Sequence, residues 1–257
     1  GKNKPQRIKD AALRYLNKAQ ELDKKLQAWA NTFQFKSEKD LLVIIALENY
    51  LLLLEKHIDL VERRLIKGEE IPHHEKLFSI FETYTEWIKK GKSRPSVELG
   101  KKLAITTDQY GLIVDYQVME HQQDRDIVIG LADRMLKRFR IQSWSFDKGF
   151  WTKSNKELLM LEIPKVVMPK LGKRNQNEEI EEKAPAFIKL KNKHSAVESN
   201  INELEHSGLD RCPDRGFPNF RRYIGMGVCA NNLKRIGREI LRQKKKEFEK
   251  QELKQAA

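Results

Sequence analysis

Apolar residues recur at steps of three and four positions through the N-terminal part of the chain, with Lys and Glu between them. The repeating positions are Leu13, Leu16, Ala19, Leu22, Leu26 and Trp29. This spacing is typical of an amphipathic helix. A second run passes through Leu60 and Leu65 to Gly68, and Ser37 can cap its first turn because its hydroxyl accepts a free backbone amide. The pattern predicts a helical N-terminal region over residues 1–75, in which the leucines form a core or a dimer seam.

From residue 76 the apolar period changes to two positions, which is typical of β-strands. Strands are predicted over residues 77–85, 97–108 and 111–120. Residues 108–111 contain Asp and Gly, so they are expected to form the turn between the second and third of these strands.

Helices and strands then alternate along the chain. The pattern predicts a helix over 124–139, a strand over 143–147, a helix over 152–162 that starts near Thr152 or Ser154, and a strand over 165–170. Residues 172–185 are polar and are predicted to be a mobile loop. A helix over 184–207 follows, and a last helix begins at Tyr223 and frays at its charged end.

The predicted order is three strands, helix, strand, helix, strand, helix. This is the order of the RNase H-like fold, an α/β fold in which helices flank a mixed sheet. We therefore expect an RNase H-like domain over residues 76–241, after the helical region and before a charged helical tail over 242–257. That fold places acids at the end of its first strand, just after its fourth strand and on its last helix.

The charge of the chain narrows the choice of partner. Its 257 residues include 50 Lys and Arg against 37 Asp and Glu, which gives a net charge of +13. This excess favours nucleic acid or an anionic membrane as the partner. We expect no membrane insertion, because the most apolar run, residues 41–54, contains Glu48 and Asn49 and is short for a bilayer span.

Cysteine usage and the N-terminus indicate the compartment. Cys212 and Cys229 form no metal-ligand pattern and favour a reducing compartment, so we expect a cytoplasmic protein associated with the nucleoid. The first ten residues are charged, with no apolar segment typical of a signal peptide behind them. The chain begins with Gly rather than Met, from which we expect the natural protein to extend upstream.

Two acids occupy positions that suit metal-dependent phosphoryl transfer. Asp147 comes directly after an apolar strand, and Gly149 lets the backbone turn sharply there. Glu198 lies on a helix behind Lys189, Lys191, Lys193 and His194. Two-metal catalysis needs carboxylates that hold divalent ions roughly 3.5–4 Å apart and cations that hold the polyanionic substrate. The alternatives are a helix-capping Asp and an ordinary surface Glu.

The amino-acid sequence around these acids resembles that of bacterial insertion-sequence transposases of the DDE type. The segments that carry the resemblance, in order, are ELG, DYQVMEHQQD, SFDKGFWTKSN, VVMPK, HSAVES, GLDRCPD and ANNLKRIG. The resemblance covers roughly residues 76–241. It implies that Asp147 and Glu198 are the second and third catalytic acids, and that two Mg²⁺ or Mn²⁺ ions are the cofactors.

The resemblance is weaker for the first acid. In the family this acid lies on the first strand, before a segment that ends in KGK, and the position that corresponds here is Glu82. Many relatives have Asp there, and the longer Glu side chain shifts an ion by about one methylene. Asp108 is an alternative acid, although it lies in the predicted hairpin turn.

Basic residues close to these acids predict a track for the DNA backbone. The predicted DNA-binding residues are Lys89, Lys90, Lys92, Lys101, Lys148, Lys193, His194, Arg211, Arg215, Arg221 and Arg222. Runs of this kind also occur as ordinary solvated faces. Trp151 is expected to pack in the core or at its rim. The alternative is that its ring stacks on a base extruded from the DNA.

The implied function is a transposase that cuts the ends of its element and joins them to target DNA. Its partner is then double-stranded DNA, namely the terminal inverted repeats and the target, and a homodimer on DNA is expected. The family usually recognises the repeats with an N-terminal helix-turn-helix region. This sequence contains no convincing one, so we expect the chain to be a truncated form of the natural protein. The alternatives are an inactive DNA-binding derivative and an RNase H-like nuclease.

Overall fold

The structure, a computed structural model, describes residues 3–34, 36–89 and 96–255. The chain forms two compact units, Gly1–Gly100 and Lys101–Ala257. Two of the predicted DNA-binding residues, Lys90 and Lys92, lie outside the described residues.

The main elements in the described part of the first unit are two helices and an antiparallel pair of strands. Helix α1 spans Lys4–Thr32, and α2 spans Glu38–Val61 and ends in a π-helical turn over Glu62–Ile66. The helices pack through small and apolar side chains, which are Ala12, Leu16 and Ala19 of α1 and Ile44, Leu51, Leu54 and Leu60 of α2. Strands β1 (Glu86–Lys89) and β2 (Val97–Gly100) pair antiparallel. Helices are thus observed over 4–32 and 38–66, within the region that the sequence predicted to be helical.

The strand predicted over residues 77–85 is wrong. The Ser79 hydroxyl accepts the backbone amides of Phe81 and Glu82 at 3.2 and 2.9 Å, and the Thr85 amide donates to the Glu82 carbonyl at 3.0 Å. These local bonds satisfy backbone groups that a strand would pair with a neighbour. Glu82 therefore lies in a turn, and β1 begins only at Glu86.

The second unit begins with a hairpin. Strands β3 (Leu103–Thr107) and β4 (Ile113–Val118) pair antiparallel, with Ile105 opposite Tyr116. The turn at residues 108–111 is confirmed: the Gly111 amide donates to the Asp108 carbonyl at 3.1 Å. The single strand predicted over 97–108 is divided in two: Gly100, with a φ of +155°, is the last paired residue of β2, and β3 begins at Leu103.

Two short strands separated by a helix follow α3 (Val128–Leu136) in this unit, and four consecutive helices come after them. In order they are β5 (Ser143–Ser145), α4 (Lys153–Glu162), β6 (Lys165–Val167), α5 (Gln176–Lys183), α6 (Pro185–Lys193), α7 (Ser195–Leu204) and α8 (Phe217–Gln255). Strands β5 and β6 pair parallel. Their core joins Val128, Leu131 and Met135 of α3 to Phe146, Leu159, Ile163 and Met168. A second core joins Ile113 and Leu204 to Ile224 and Val228 of α8.

Three predictions for this unit are corrected. Residues 176–183 are helical rather than a loop, because Asn175 and Glu178 form a reciprocal cap: the Glu178 amide donates to Asn175 Oδ1 at 2.9 Å, and the Asn175 amide to Glu178 Oε2 at 2.8 Å. The helix predicted over 184–207 is divided between α6 and α7 at His194. The last helix begins at Phe217, directly after Gly216 with its φ of +83°, and continues to Gln255.

The chain is a mixed α/β protein, as predicted. Its described strands form three two-stranded sheets, β1–β2, β3–β4 and β5–β6, in a largely helical molecule. The single RNase H-like sheet stays a prediction. Among the described helices, none combines the length and the apolar character that crossing a bilayer requires.

Candidate functional site

Asp147 stands at the end of the parallel strand pair. The amide of the preceding residue, Phe146, donates to the Val167 carbonyl at 2.8 Å, and the Phe146 ring is buried in the core. Asp147 itself is exposed, and its Oδ1 accepts the Lys148 amide at 2.7 Å. A Cβ at Gly149 would lie 2.5 Å from Asp124 Oδ2, so a larger residue there would require the Asp124 side chain to move. The strand end thus holds the Asp147 carboxylate at the surface on a rigid base.

Asn155, part of the same motif, has a structural role. Its side chain is buried, and its Nδ2 donates to the Arg125 carbonyl at 2.8 Å and to the Phe150 carbonyl at 3.3 Å. The helix predicted to start near Thr152 or Ser154 begins at Lys153, and Thr152 caps it, since its Oγ1 accepts the Asn155 amide at 3.0 Å. These bonds fix the turn that follows Asp147.

Glu198 lies in the first turn of α7, on its exposed side. Helix α6, which leads into α7, packs against β5 and β6. Asp147 and Glu198 therefore belong to one unit, and α6 connects the strand pair that ends at Asp147 to the helix that carries Glu198. Neither carboxylate forms an ion pair with another described residue, so both retain oxygen atoms for a ligand.

Sequence reasoning missed the residue that holds α7 in place, Asn200. Its side chain has 0% exposure; Nδ2 donates to the Gly111 carbonyl at 3.0 Å and to Thr107 Oγ1 at 3.1 Å. Its Oδ1 accepts Nη2 of Arg235 from α8 at 2.7 Å. The sequence does contain a signal for this role: Asn200 lies four positions before the buried Leu204, on the same face of the helix. Asn200 joins α7 to the hairpin turn and to α8.

One turn further along α7, Glu203 completes this attachment. Its carboxylate meets Lys234 at 3.2 Å and Arg238 at 2.6 Å, both on α8. Burial raises the pKa of Glu203, but the bonds from Lys234 and Arg238 outweigh it, and the pKa lies below its ordinary value. The charged form is therefore the one that α8 stabilises.

The first acid remains a prediction. Glu82 lies in the first unit, whereas Asp147 and Glu198 lie in the second. Convergence of the three carboxylates therefore stays a prediction. The alternative, Asp108, is committed to its turn, because its Oδ1 accepts the amides of Tyr110 and Leu112 at 2.9 and 2.8 Å.

The donor chemistry of the two exposed acids fits a hard divalent cation, since Mg²⁺ prefers carboxylate oxygens. Within residues 3–34, 36–89 and 96–255, no group of three or more His, Cys, Asp or Glu side chains is arranged to hold a metal ion. Of the predicted ligands, Asp147 and Glu198 lie in the second unit and Glu82 in the first, so their arrangement around an ion stays a prediction.

Several predicted DNA-binding residues lie close in sequence to these acids. Lys148 directly follows Asp147 and is exposed. Lys193 is exposed at the end of α6, and His194 forms the junction with α7. The His194 Nδ1 is buried without a hydrogen-bond partner in the described part of the chain. Lys89 is an exposed residue of the first unit, at the end of β1.

A second group of cations surrounds the start of α8. Arg211 and Arg215 are exposed in the connection before this helix. The Lys101 ammonium and the Arg221 guanidinium lie 5.5 and 5.9 Å from the centre of the Phe217 ring, and Arg222 pairs with Asp214 at 3.2 Å. Cations beside a helix N-terminus make a surface that attracts anions.

Trp151 has the packing role that the sequence favoured. It lies half-buried against the core, with the Lys170 ammonium 5.4 Å from its ring centre. It also lines a cavity of about 300 Å³ together with Met160, Met168 and the ion pairs of α5.

Comparison of the chain with protein-family models, with curated proteins and with solved structures finds no match. The order of the sequence motifs and the geometry around Asp147 and Glu198 are therefore the observations from which a function is inferred.

Proposed function

We propose that the chain is a DDE-type DNA transposase that cleaves the ends of an insertion sequence and transfers them to target DNA. The observation that carries the proposal is the pair of motif acids in the second unit. Asp147 follows a buried strand, Glu198 follows a helix packed on that strand pair, and both carboxylates are exposed and without ion pairs among the described residues.

The proposed division of labour follows from residue chemistry. Asp147 and Glu198, with Glu82 as the third acid, would hold two Mg²⁺ or Mn²⁺ ions. When bound, such ions lower the pKa of an attacking hydroxyl and neutralise charge on the phosphate. Lys148 directly follows Asp147, and Lys193 lies at the end of α6, five positions before Glu198; both would hold phosphate oxygens. Asn200 would keep Glu198 in place through the rigid attachment of α7.

An RNase H-like arrangement is part of the proposal. Its local elements are an antiparallel hairpin, β3–β4, and a parallel pair, β5–β6, with helices after each strand of that pair. A cytoplasmic, nucleoid-associated enzyme acting on double-stranded DNA fits the net charge of +13.

Two other functions make different predictions. An inactive DNA-binding derivative is favoured by Glu82 in place of the commoner Asp, and it would bind DNA without nicking it. An RNase H-like nuclease would cut but would not join strands.

The test is a strand-transfer assay with paired element ends, taken from the DNA that flanks the gene. Asp147→Ala and Glu198→Ala should each reduce nicking by about a thousand-fold or more, because the remaining acids cannot position the ions. DNA affinity should stay near that of the wild type. The control is Glu205→Ala, which removes another exposed acid just beyond α7 and should remain active. Wild-type nicking in excess EDTA would refute the proposal.

The same assay tests the first acid. Glu82→Asp should retain activity because it restores the commoner ligand, whereas Glu82→Gln should lose it because an amide oxygen is a weaker ligand for Mg²⁺. Full activity of Glu82→Gln would show that another acid takes this role.

A further inference from the structure

The last helix carries an apolar stripe that faces away from its own unit. Its residues are Met226, Cys229, Leu233, Ile236 and Ile240, all of them exposed, with Met226 at 65% and Leu233 at 64%. The steps along the stripe are three, four, three and four positions. This is the spacing of positions a and d in a coiled-coil heptad.

The other side of α8 is already occupied. Ile224, Val228 and Asn231 are buried. The Asn232 side chain exchanges two hydrogen bonds of 2.9 Å with the backbone of Ile113 in β4. A Cβ at Gly225 would lie 2.6 Å from the Tyr116 hydroxyl, so α8 lies close to β4 on that side. The stripe is therefore a separate surface from the one that attaches α8 to its own unit.

We propose that this stripe is the seam of a parallel, two-stranded coiled coil between two copies of the chain. The flanking charges favour a second copy in this orientation. With Met226, Leu233 and Ile240 at position a, Glu239 takes position g and Lys244 takes position e. In a parallel pair a residue at g faces the residue five positions later in the partner. Glu239 thus faces the partner's Lys244, and the symmetric contact forms as well.

Small residues beside the seam allow close approach of the helices. Position e is occupied by Ala230 and Gly237 in the two heptads that precede Lys244. Within its own helix Glu239 accepts hydrogen bonds from Arg242 at 2.8 Å. The seam spans Met226 to Ile240, about 21 Å at 1.5 Å per residue.

A seam of this length predicts moderate affinity. Two heptads form a small interface, and small interfaces are usually weak or transient, so we expect a dissociation constant on the order of micromolar. The parallel arrangement sets Cys229 beside the partner's Cys229, at a position where a covalent link can report the register.

The first experiment is sedimentation equilibrium of the full chain over concentrations of about 1–100 micromolar, a range set by that expected affinity. The wild type should dimerise, and Leu233→Glu should shift the dissociation constant at least tenfold, since it buries a charge in the seam. Leu241→Glu is the matched control: Leu241 is 68% exposed on the same helix but lies outside the stripe. A monomeric wild type, or a dimer that Leu233→Glu leaves intact, would overturn the proposal.

The second experiment tests the register. On a Cys212→Ser background, mild oxidation should link the dimer through Cys229, and Cys229→Ser should abolish the link. Glu239→Lys should weaken dimerisation, and adding Lys244→Glu should restore it. A dimer that depends on Leu233 but neither links through Cys229 nor responds to the charge exchange would overturn the parallel arrangement. None of these measurements depends on catalytic activity.

Discussion

At the scale of single residues, the two sides of α7 have different tasks. Glu198 faces solvent, while Asn200, two positions later, is completely buried and hydrogen-bonded on both its amide nitrogen and its oxygen. A buried amide with all its partners specifies one orientation of a helix, because any rotation leaves polar groups unpaired. The position of the candidate acid therefore depends on a neighbour that cannot touch a substrate.

This dependence predicts a large stability effect at Asn200. Asn200→Leu keeps the branched shape of the side chain but removes its hydrogen bonds to the Gly111 carbonyl and Arg235 Nη2, so the free energy of unfolding should fall by about 2–4 kcal/mol. Asn202→Leu, the same substitution at an exposed position of α7, should change it by less than about 0.5 kcal/mol. Urea denaturation of both variants is the measurement. Equal stabilities would show that the Asn200 hydrogen bonds do not hold α7.

At the scale of elements, α5 is fastened by charge rather than by burial. None of its side chains is buried. Glu181 pairs with Lys156 of α4, while Glu178 and Glu182 pair with Lys170 and Arg174 of the preceding segment, each at 2.7 Å. The bond from Lys170, followed by the Asn175 amide, lowers the pKa of Glu178. Such pairs are each worth about 0–1 kcal/mol and weaken in salt.

We therefore predict that α5 opens without unfolding of its unit. Replacing Glu178, Glu181 and Glu182 by Gln should raise amide hydrogen exchange over residues 176–183, because the attachment loses its charge while Gln can still serve in the cap. Exchange in β5 and β6 should stay slow. Glu179→Gln removes only a pair with Lys183 within α5 and is the control. Unchanged exchange in the triple variant would mean that other contacts hold α5.

Elements with a clear period or cap could be predicted from the sequence. The hairpin turn at residues 108–111 and the start of α4 beside Thr152 are of this kind. Predictions failed where a polar side chain satisfied the backbone locally, as Ser79 does before β1 and Asn175 does before α5. The exposed placement of Asp147 and Glu198 follows from short-range pattern. The role of Asn200 does not, since its partners lie 89 and 35 positions away.

At the scale of the whole molecule, positive charge is distributed over both units. Lys89 belongs to the first unit, and the cations around the start of α8 belong to the second. An exposed cation that neutralises a phosphate releases a counterion from DNA, so the salt dependence of binding counts such contacts directly. This measurement is independent of catalysis and separates a true DNA track from a solvated basic surface.

The last prediction concerns the number of DNA phosphates that the chain contacts. If the chain neutralises about 5–8 phosphates, log affinity for duplex DNA should fall with log salt at a slope of roughly −5 to −7. Removing Arg211, Arg215 and Arg221 together should make the slope shallower by about 3, since each lost contact removes about 0.9. Removing Arg140, Lys165 and Lys173, which are exposed elsewhere in the second unit, changes the net charge equally but should leave the slope unchanged.

Fluorescence anisotropy from about 50 to 300 mM salt, where the electrostatic term dominates, makes the comparison. Equal slopes for the two triple variants would mean that net charge alone attracts DNA, and a flat wild-type response would exclude a DNA backbone track.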